Sequence, residues 1–493
     1  MSIGIRPFNK LPEEGIVAVH DPLSPAEIYS GQLITACLRN RGDKDFTRQL
    51  PVYRLSPLGA ELDVSSLPID QIKVGCEIDL RLDIGKQKCD FFGIAVASVH
   101  DENGRRLIGV RWCQRQQVDS QDEDRRKFTR WLCSDRFLPS GMAPNPARFN
   151  DFVYFTVTDI SNRGMQLVTS LRNKFLIPGM VLEAGVSFPM VGQLTVHLRI
   201  INARIKSENG KDYLALGVQI LSSSPEILET IGQYLMQFGP PLSVADLKAS
   251  GLFVRSMESA VNFKFVKTAE EYKEILALRK LAYSMTGKFD ASSDSENMGD
   301  FFDSKSRILL AKHKDTVVGS LRITFQGPEE QNEYDAFVTF PDAFPRRDEI
   351  AVLSRICTHP SYRGSDLFYG LMRQCVLTVL QSRRRYILGG CSESLLPLYK
   401  KVGFKPQNLY YQHAALNGVR EQIIIADVHG ILSGAGTSLA VWNEIYSDLT
   451  SYISHLYEVP FDPAMNLRLA LYRAASPVTR LFTGSYRNPK RKS

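Results

Sequence analysis

The chain of 493 residues is longer than one hydrophobic core organises, which sets an expectation of about two to four domains. Its 44% hydrophobic and 23% charged residues exclude a disordered scaffold, and a net charge of +7 over this length gives no sign of a dense nucleic-acid-binding surface. Eight scattered cysteines without a CxxC pair disfavour a zinc site and read as reduced thiols. No apolar run reaches the length that spans a bilayer, and the N-terminus lacks the layout of a signal peptide, so a cytoplasmic protein with no transmembrane segment and no metal is expected.

After an N-terminal segment (1–24), the main organisational signal is an internal repeat. Pro51–Pro68 matches Phe155–Pro178, each copy runs on into a glycine and an alternating strand, and each closes on a hairpin with an Asn-Gly pair, Asn103-Gly104 and Asn209-Gly210. Apolar residues alternate, as in Val196, Leu198, Ile200 and Leu214, Leu216, Val218, which is the period of half-buried strands. The reading is two small antiparallel β-barrels, 25–115 and 120–225. From Pro225 the spacing turns helical through Ile227, Ile231, Leu235 and Phe238 until Gly239-Pro240-Pro241, making 226–260 a helix and linker. Strands at Arg307–Lys312 and Val317–Phe325 alternate with helices at 268–284 and 364–385, so 261–435 reads as an α/β domain. A helical face over Leu439–Tyr457 and a basic tail complete a C-terminal segment, 436–493.

Ahead of the second repeat, Arg126 and Arg130 have RxxxR spacing beside Arg125, and 28 residues separate Arg130 from Asp159, which opens the DxSxxG of Asp159, Ser161, Arg163 and Gly164. The two motifs in this order resemble the PilZ family, and the resemblance implies binding of cyclic di-GMP. Arginine forks suit phosphates and the guanine edge, aspartate accepts from guanine N1 and N2, and Gly164 would let the backbone approach the ligand. The first repeat keeps Ser56 and Gly59 but has Arg54 where the second has Asp159, and no RxxxR precedes it, so it reads as a degenerate, non-binding PilZ-like barrel.

From about residue 260 the chain resembles the GNAT superfamily, in particular its N-acyl amino acid synthases and acyl-homoserine-lactone synthases. The resemblance rests on Leu278-Arg279 with Tyr283, on Asp300 and Asp303, on Arg322, on Arg355, Arg363 and Gly364, and on LYKKVGF at 398–404. It implies an acyl donor carried as an acyl-carrier-protein or acyl-CoA thioester and an amine acceptor, with Arg279, Asp300, Asp303, Arg322, Arg363, Gly364 and Ser365 at the acyl and amine pockets. Tyr362–Asp366 opens a helix and offers backbone N–H groups to a phosphate, while Asp366, where the family has a small residue, argues for a carrier protein over CoA. Arg383-Arg384-Arg385 would dock an acidic carrier. Signal synthases have a glutamate base where this chain has Val352, so Glu349, as the nearest carboxylate, a water, or nothing takes the amine proton; the resemblance implies a catalytic set of Glu349, Arg355 and Tyr399, the last as the acid that reprotonates the thiolate. Cys357 and Cys391 read as buried structural thiols. The expected function is a cyclic di-GMP-responsive N-acyltransferase; the alternative is a non-enzymatic effector whose GNAT-like domain binds a partner.

Overall fold

The computed structural model describes residues 35–39, 48–68, 72–84, 87–100, 104–112, 129–146, 150–208, 210–286, 298–412, 418–450 and 461–483. They form two compact units, residues 1–240 with 250–252, and 241–249 with 253–493. Arg125, Arg126, Asn103 and Asn209 fall outside the described residues, as do the segment 1–24, residues 451–457 of the expected C-terminal helix and 484–493.

The first unit opens with β1 (Thr35–Arg39), β2 (Arg48–Ser56), β3 (Gly59–Asp63), β4 (Glu77–Ile84), β5 (Gln87–His100) and β6 (Arg106–Trp112), which close a barrel in the order β1-β2-β3-β6-β5-β4. After the two-residue β7 (Trp131–Leu132) come β8 (Ser140–Pro144), β9 (Phe152–Ile160), β10 (Gly164–Ser170), β11 (Val181–Phe188), β12 (Gly192–Glu208) and β13 (Lys211–Ile220) in a seven-stranded antiparallel sheet. Its six long strands repeat the pairings of the first barrel strand for strand, β8 standing for β1 through β13 for β6.

The repetition extends to single hydrogen bonds. Trp112 N donates to the Leu58 carbonyl and Ile220 N to that of Arg163; Gly75 N donates to Ala95 O and Gly179 N to Ile200 O. Gly75 and Gly179 both have left-handed backbones, φ +89° and +92°, which explains the glycine that follows each repeated segment. Helix α1 (Pro225–Phe238) starts on the Ser224 cap with Pro225 in its first turn and lays Tyr234 against Phe188, its hydroxyl donating to Phe137 O at 2.9 Å.

The second unit holds α2 (Val244–Ala249), β14 (Val261–Phe265), α3 (Ala269–Ser284), β15 (Ser306–His313), β16 (Thr316–Phe325), β17 (Ile350–Thr358), α4 (Leu367–Gln381), β18 (Tyr386–Ser392), α5 (Leu396–Lys401), β19 (Lys405–Gln412), β20 (Arg420–Asp427), α6 (Val428–Leu432), α7 (Leu439–Ile445) and α8 (Pro463–Thr483). The sheet runs β14-β15-β16-β17-β18-β20-β19, antiparallel except for the parallel β17–β18 pair that α4 connects. Helix α3, started by a capping box between Thr268 and Glu271, packs Ile275, Leu278 and Ala282 on Ile308, Leu310, Val317 and Cys357. A second cluster joins Tyr334, Ile350, Val352, Leu388, Tyr411 and Ile423.

The expected helix at 439–457 is broken for one residue at Tyr446 and is helical again over 447–450, with Thr450 N donating to Tyr446 O at 3.2 Å. The α8 helix begins six residues beyond the expected end and was not marked by the periodicity of the preceding stretch. Among the described residues no helix is long and apolar enough to cross a membrane.

Candidate functional site

Two features of β17 shape the candidate acyl-transfer site. The register of β16 on β17 shifts so that Arg355 and Ile356 both face Leu321, and Arg355 takes a left-handed backbone, φ +53°. Such a bulge re-aims a side chain at a cost that surrounding contacts must offset. In addition, β17 and β18 pair only over Ile350–Leu353 and Tyr386–Gly389, although they run on to Thr358 and Ser392. The unpaired stretch is a place where backbone groups can meet an extended substrate arm.

Beside the bulge lies a buried charge cluster. The Arg279 guanidinium donates to both Asp303 oxygens, at 2.6 and 3.0 Å, and to Met298 O at 3.2 Å. Arg322 donates through Nη1 to Asp303 at 3.0 Å and to Asp300, through Nη2 to Glu333 at 2.5 Å, and through Nε to Ser354 Oγ at 2.9 Å. Arg355 closes on Asp300 Oδ2 with Nη2 at 2.7 Å and Nε at 3.2 Å. Both Arg279 and Arg322 are fully buried. Three guanidiniums and three carboxylates balance, as buried charges require.

Burial pushes the Asp303 carboxyl up, but the bonds and charge of Arg279 and Arg322 more than offset it and hold it at about 2. Asp300 is likewise raised by burial and lowered further by Arg322 and Arg355, with a net downward shift. Tyr272, which donates to Asp303 at 2.8 Å, is pushed up to about 12 by burial and by that carboxylate. Two buried atoms in the cluster have no hydrogen-bond partner, Arg279 Nε and Glu333 Oε1. A carboxylate oxygen left unsatisfied in a site of this kind is an open acceptor for a ligand donor.

The sequence-derived residues divide sharply. Arg279, Asp300, Asp303, Arg322 and Arg355, from α3, the 298–305 segment, β16 and β17, are brought into one network. Glu349 is not: it precedes β17 by one residue, which at about 3.3 Å per residue puts it roughly 20 Å along the strand from Arg355. Its carboxylate instead accepts from Arg346 N at 3.3 Å. Tyr399 on α5 is buried, its ring edge-on to Phe368 and Phe404, and burial pushes its phenol well above the usual range. Cys357 sits in the α3 core cluster and burial raises its thiol to about 12, which removes thiolate nucleophilicity.

Sequence reasoning missed Glu333 and Glu421. Glu421, on β20, is buried, pairs across the sheet with Ser392 and Tyr411, and accepts from Tyr411 Oη at 2.6 Å. Tyr411 in turn lies against Gly390, where any β-carbon would fall 2.0 Å from its hydroxyl. Tyr283 lies within the electrostatic reach of both Arg355 and Glu421, and burial lifts its phenol to about 12. Neither glutamate belongs to a motif; Glu421 is placed by the pairing of β20, and Glu333 by the long connection between β16 and β17.

The phosphate-type loop also departs from expectation. Gly364 has φ +81°, and a β-carbon there would come 2.8 Å from Lys248 Nζ, while Ser365 Oγ donates to Tyr362 O at 2.8 Å. The Asp366 carboxylate turns away from the loop to accept from Met257 N at 2.5 Å, and burial raises its pKa against that hydrogen bond. Its charge is therefore not aimed at a donor phosphate, which removes the argument for a carrier protein over CoA. The Arg383–Arg385 run is likewise not an open patch, because Arg384 donates to the carbonyls of Gln326, Arg347 and Ile350, and Arg385 pairs with Asp427 at 2.9 Å.

In the second repeat, Arg130 Nη1 meets Asp159 Oδ1 at 3.2 Å at the start of the sheet. The Ser161 hydroxyl is buried and braces its own turn, donating to Gly164 O at 3.1 Å and accepting from Gly164 N at 3.0 Å. Ser56 does the same in the first barrel with Gly59, at 3.3 and 3.2 Å. A β-carbon on Gly164 would fall 2.6 Å from Val218 O, so the close approach of β10 to β13 by itself requires a glycine there. Among the described residues of the motif, Arg130 and Arg163 are exposed and Asp159 is half-buried.

Residues 274–416 match the family model of FeeM, the N-acyl amino acid synthase FeeM, so this part of the chain is similar to acyltransferases of that kind. The match runs from inside α3 to the loop after β19 and spans the charge cluster and the Gly364 loop. Compared by sequence with curated proteins, the chain has no significant match. Among solved structures, FeeM from uncultured soil microbes is 10% identical, with 36% of this chain and 94% of that one covered at a TM-score of 0.28. An acetyltransferase from Streptococcus agalactiae is 17% identical, covering 34% and 98% at 0.25. The K. pneumonia MrkH–c-di-GMP complex is 18% identical, covering 41% and 84% at 0.20.

Proposed function

We propose that the second unit transfers a fatty acyl group from an acyl-carrier-protein or acyl-CoA thioester to the amine of an amino acid-like acceptor, and that the first unit makes this transfer responsive to cyclic di-GMP. The observation that carries the reading is the buried, charge-balanced cluster of Arg279, Asp300, Asp303, Arg322, Arg355 and Glu333, set beside the parting of β17 and β18 within the segment that matches the N-acyl amino acid synthase model.

In this reading the donor's phosphate lies on the loop of Arg363, Gly364 and Ser365, and its arm enters between the parted strands. The acceptor amine donates to the open Oε1 of Glu333. The amine nitrogen attacks the thioester carbonyl carbon; a C–N bond forms, the C–S bond breaks, one amine proton goes to a carboxylate, and the thiolate is protonated from solvent, because burial holds the Tyr399 phenol too far above its usual range to give up its proton. Val352 is fully buried in an apolar cluster and supplies no base. Glu421 takes that role better than Glu333, because Glu333 already neutralises Arg322, whereas the Tyr411 hydroxyl that holds Glu421 can keep a hydrogen bond to it in either protonation state.

The second repeat is read as a PilZ-type barrel, binding cyclic di-GMP through Arg125, Arg126 and Arg130 with Asp159 and Arg163; the first repeat, with Arg54 in place of Asp159, is its non-binding partner. Incubating the full chain with acyl carriers, acyl-CoAs and a panel of amines, followed by mass spectrometry, tests the activity. An acylated amine is expected; its absence with every donor leaves the non-enzymatic effector.

A further inference from the structure

We propose that α8 is a peripheral membrane-binding element that seats its outer face on an anionic lipid surface. Its inner face is fixed: Leu469 is buried, Tyr472 stands edge-on to Trp442 at 5.4 Å and donates to Thr437 O at 2.9 Å, and Ser476 Oγ donates to Asn443 Oδ1 at 2.6 Å. A surface helix anchored this way ordinarily turns polar residues outward. Here the exposed positions opposite that face are Ala464, Leu467, Ala470, Leu471 and Ala474, with Leu467 64% and Leu471 61% exposed, and the exposed Asn466 and Arg473 lie along one border, where Arg473 donates to Thr450 O at 3.4 Å. In the sequence the same spacing continues through Val478 and Phe482.

Charge selects the occupant. Residues 463–493 contain five arginines and two lysines and no aspartate or glutamate, a charge of +7 that equals the net charge of the entire chain, so the other 462 residues balance. On a helical projection Arg468 and Arg473 flank the leucine stripe on either side. An apolar stripe bordered by arginines, on a helix too polar to cross a bilayer, has the layout of an element that lies in the headgroup region with its leucines in the acyl boundary. Each basic residue near an anionic surface adds attraction that falls off within a Debye length. An acidic protein surface would be met by charge alone and gives the outward leucines nothing to enter.

The test is co-sedimentation of the full chain with vesicles of phosphatidylcholine and of phosphatidylcholine mixed with phosphatidylglycerol, at low and high salt. Binding to the anionic vesicles, weak binding to the neutral ones, and a loss of at least about tenfold at high salt are expected. Leu467→Ser with Leu471→Ser, both at exposed positions, is expected to lower partitioning by at least about tenfold while leaving the thermal transition unchanged. Equal binding by the double variant, or no binding to anionic vesicles, overturns the proposal. So does capture by an immobilised acidic carrier protein, or a dimer in sedimentation velocity, that depends on these leucines when vesicles are ignored.

Discussion

Replacing Asp303 by asparagine keeps the shape of the side chain and removes the charge that both Arg279 and Arg322 are built around. With the folded carboxyl held at about 2 against an ordinary value of 3.8, the ionised form contributes about 2–3 kcal/mol to stability at neutral pH. The carboxylate is only 5% exposed, so solvent screening takes little from this figure. Because the folded pKa is depressed, the contribution is complete above about pH 4 and is lost as pH falls toward 2, with roughly half remaining at pH 3. Asp303→Asn also leaves two buried guanidiniums short of a partner, so a total loss of about 3–5 kcal/mol at pH 7 is expected. Trp442 is the only tryptophan beyond residue 240 and is buried, so urea unfolding in a Trp112→Phe, Trp131→Phe background reports this unit alone. The deficit of the variant should shrink by about 1 kcal/mol between pH 7 and pH 3. A deficit below about 1 kcal/mol, or one that does not change with pH, would refute the reading of the cluster as a charge-balanced network.

In the first unit, Arg130→Ala is expected to weaken cyclic di-GMP binding by about 30- to 150-fold in calorimetry and Arg54→Ala to leave it unchanged; equal losses would contradict a single binding repeat. Ser161→Ala and Ser56→Ala remove the same turn brace and are expected to cost about 1 kcal/mol each in denaturant unfolding, with ligand affinity kept to within severalfold, because neither hydroxyl is free to meet a ligand. Glu421→Gln is expected to lower kcat by about 100-fold or more, with Tyr411→Phe showing a smaller loss. An unchanged kcat in Glu421→Gln would assign the base elsewhere.

Much of this architecture is legible in the sequence, for identifiable physical reasons. The repeat is visible because the Ser-x-x-Gly turn and the glycine after each repeated segment satisfy backbone demands that only those residues meet, and the structure reproduces the associated bonds in both copies. Arg279, Asp300, Asp303 and Arg322, four members of the charge cluster, stand out by motif spacing although they lie on a helix, a short turn and a strand, and Arg355 gained its direction from a bulge that no spacing reveals. Glu349 lies apart from the cluster because nearness in sequence becomes distance along an extended strand. The partner of Asp366 was not legible because its residue type says nothing of which way the carboxylate turns. Glu333 and Glu421 were invisible for the opposite reason: a long connection brings the first and the sheet brings the second to the cluster from segments with no motif of their own.

The central claim is that one chain couples a dinucleotide sensor to an acyl-transfer site, and a ligand can shift a second site only by binding one arrangement better than another. The direct measurement is the rate of amine acylation by the full chain with and without saturating cyclic di-GMP, in the wild type and in Arg130→Ala. Couplings of this kind are typically about 1–3 kcal/mol, so the account predicts a rate change of about 5- to 150-fold in the wild type that is lost in the variant. Acylation that proceeds at one rate with and without the dinucleotide, although the dinucleotide binds, would contradict it.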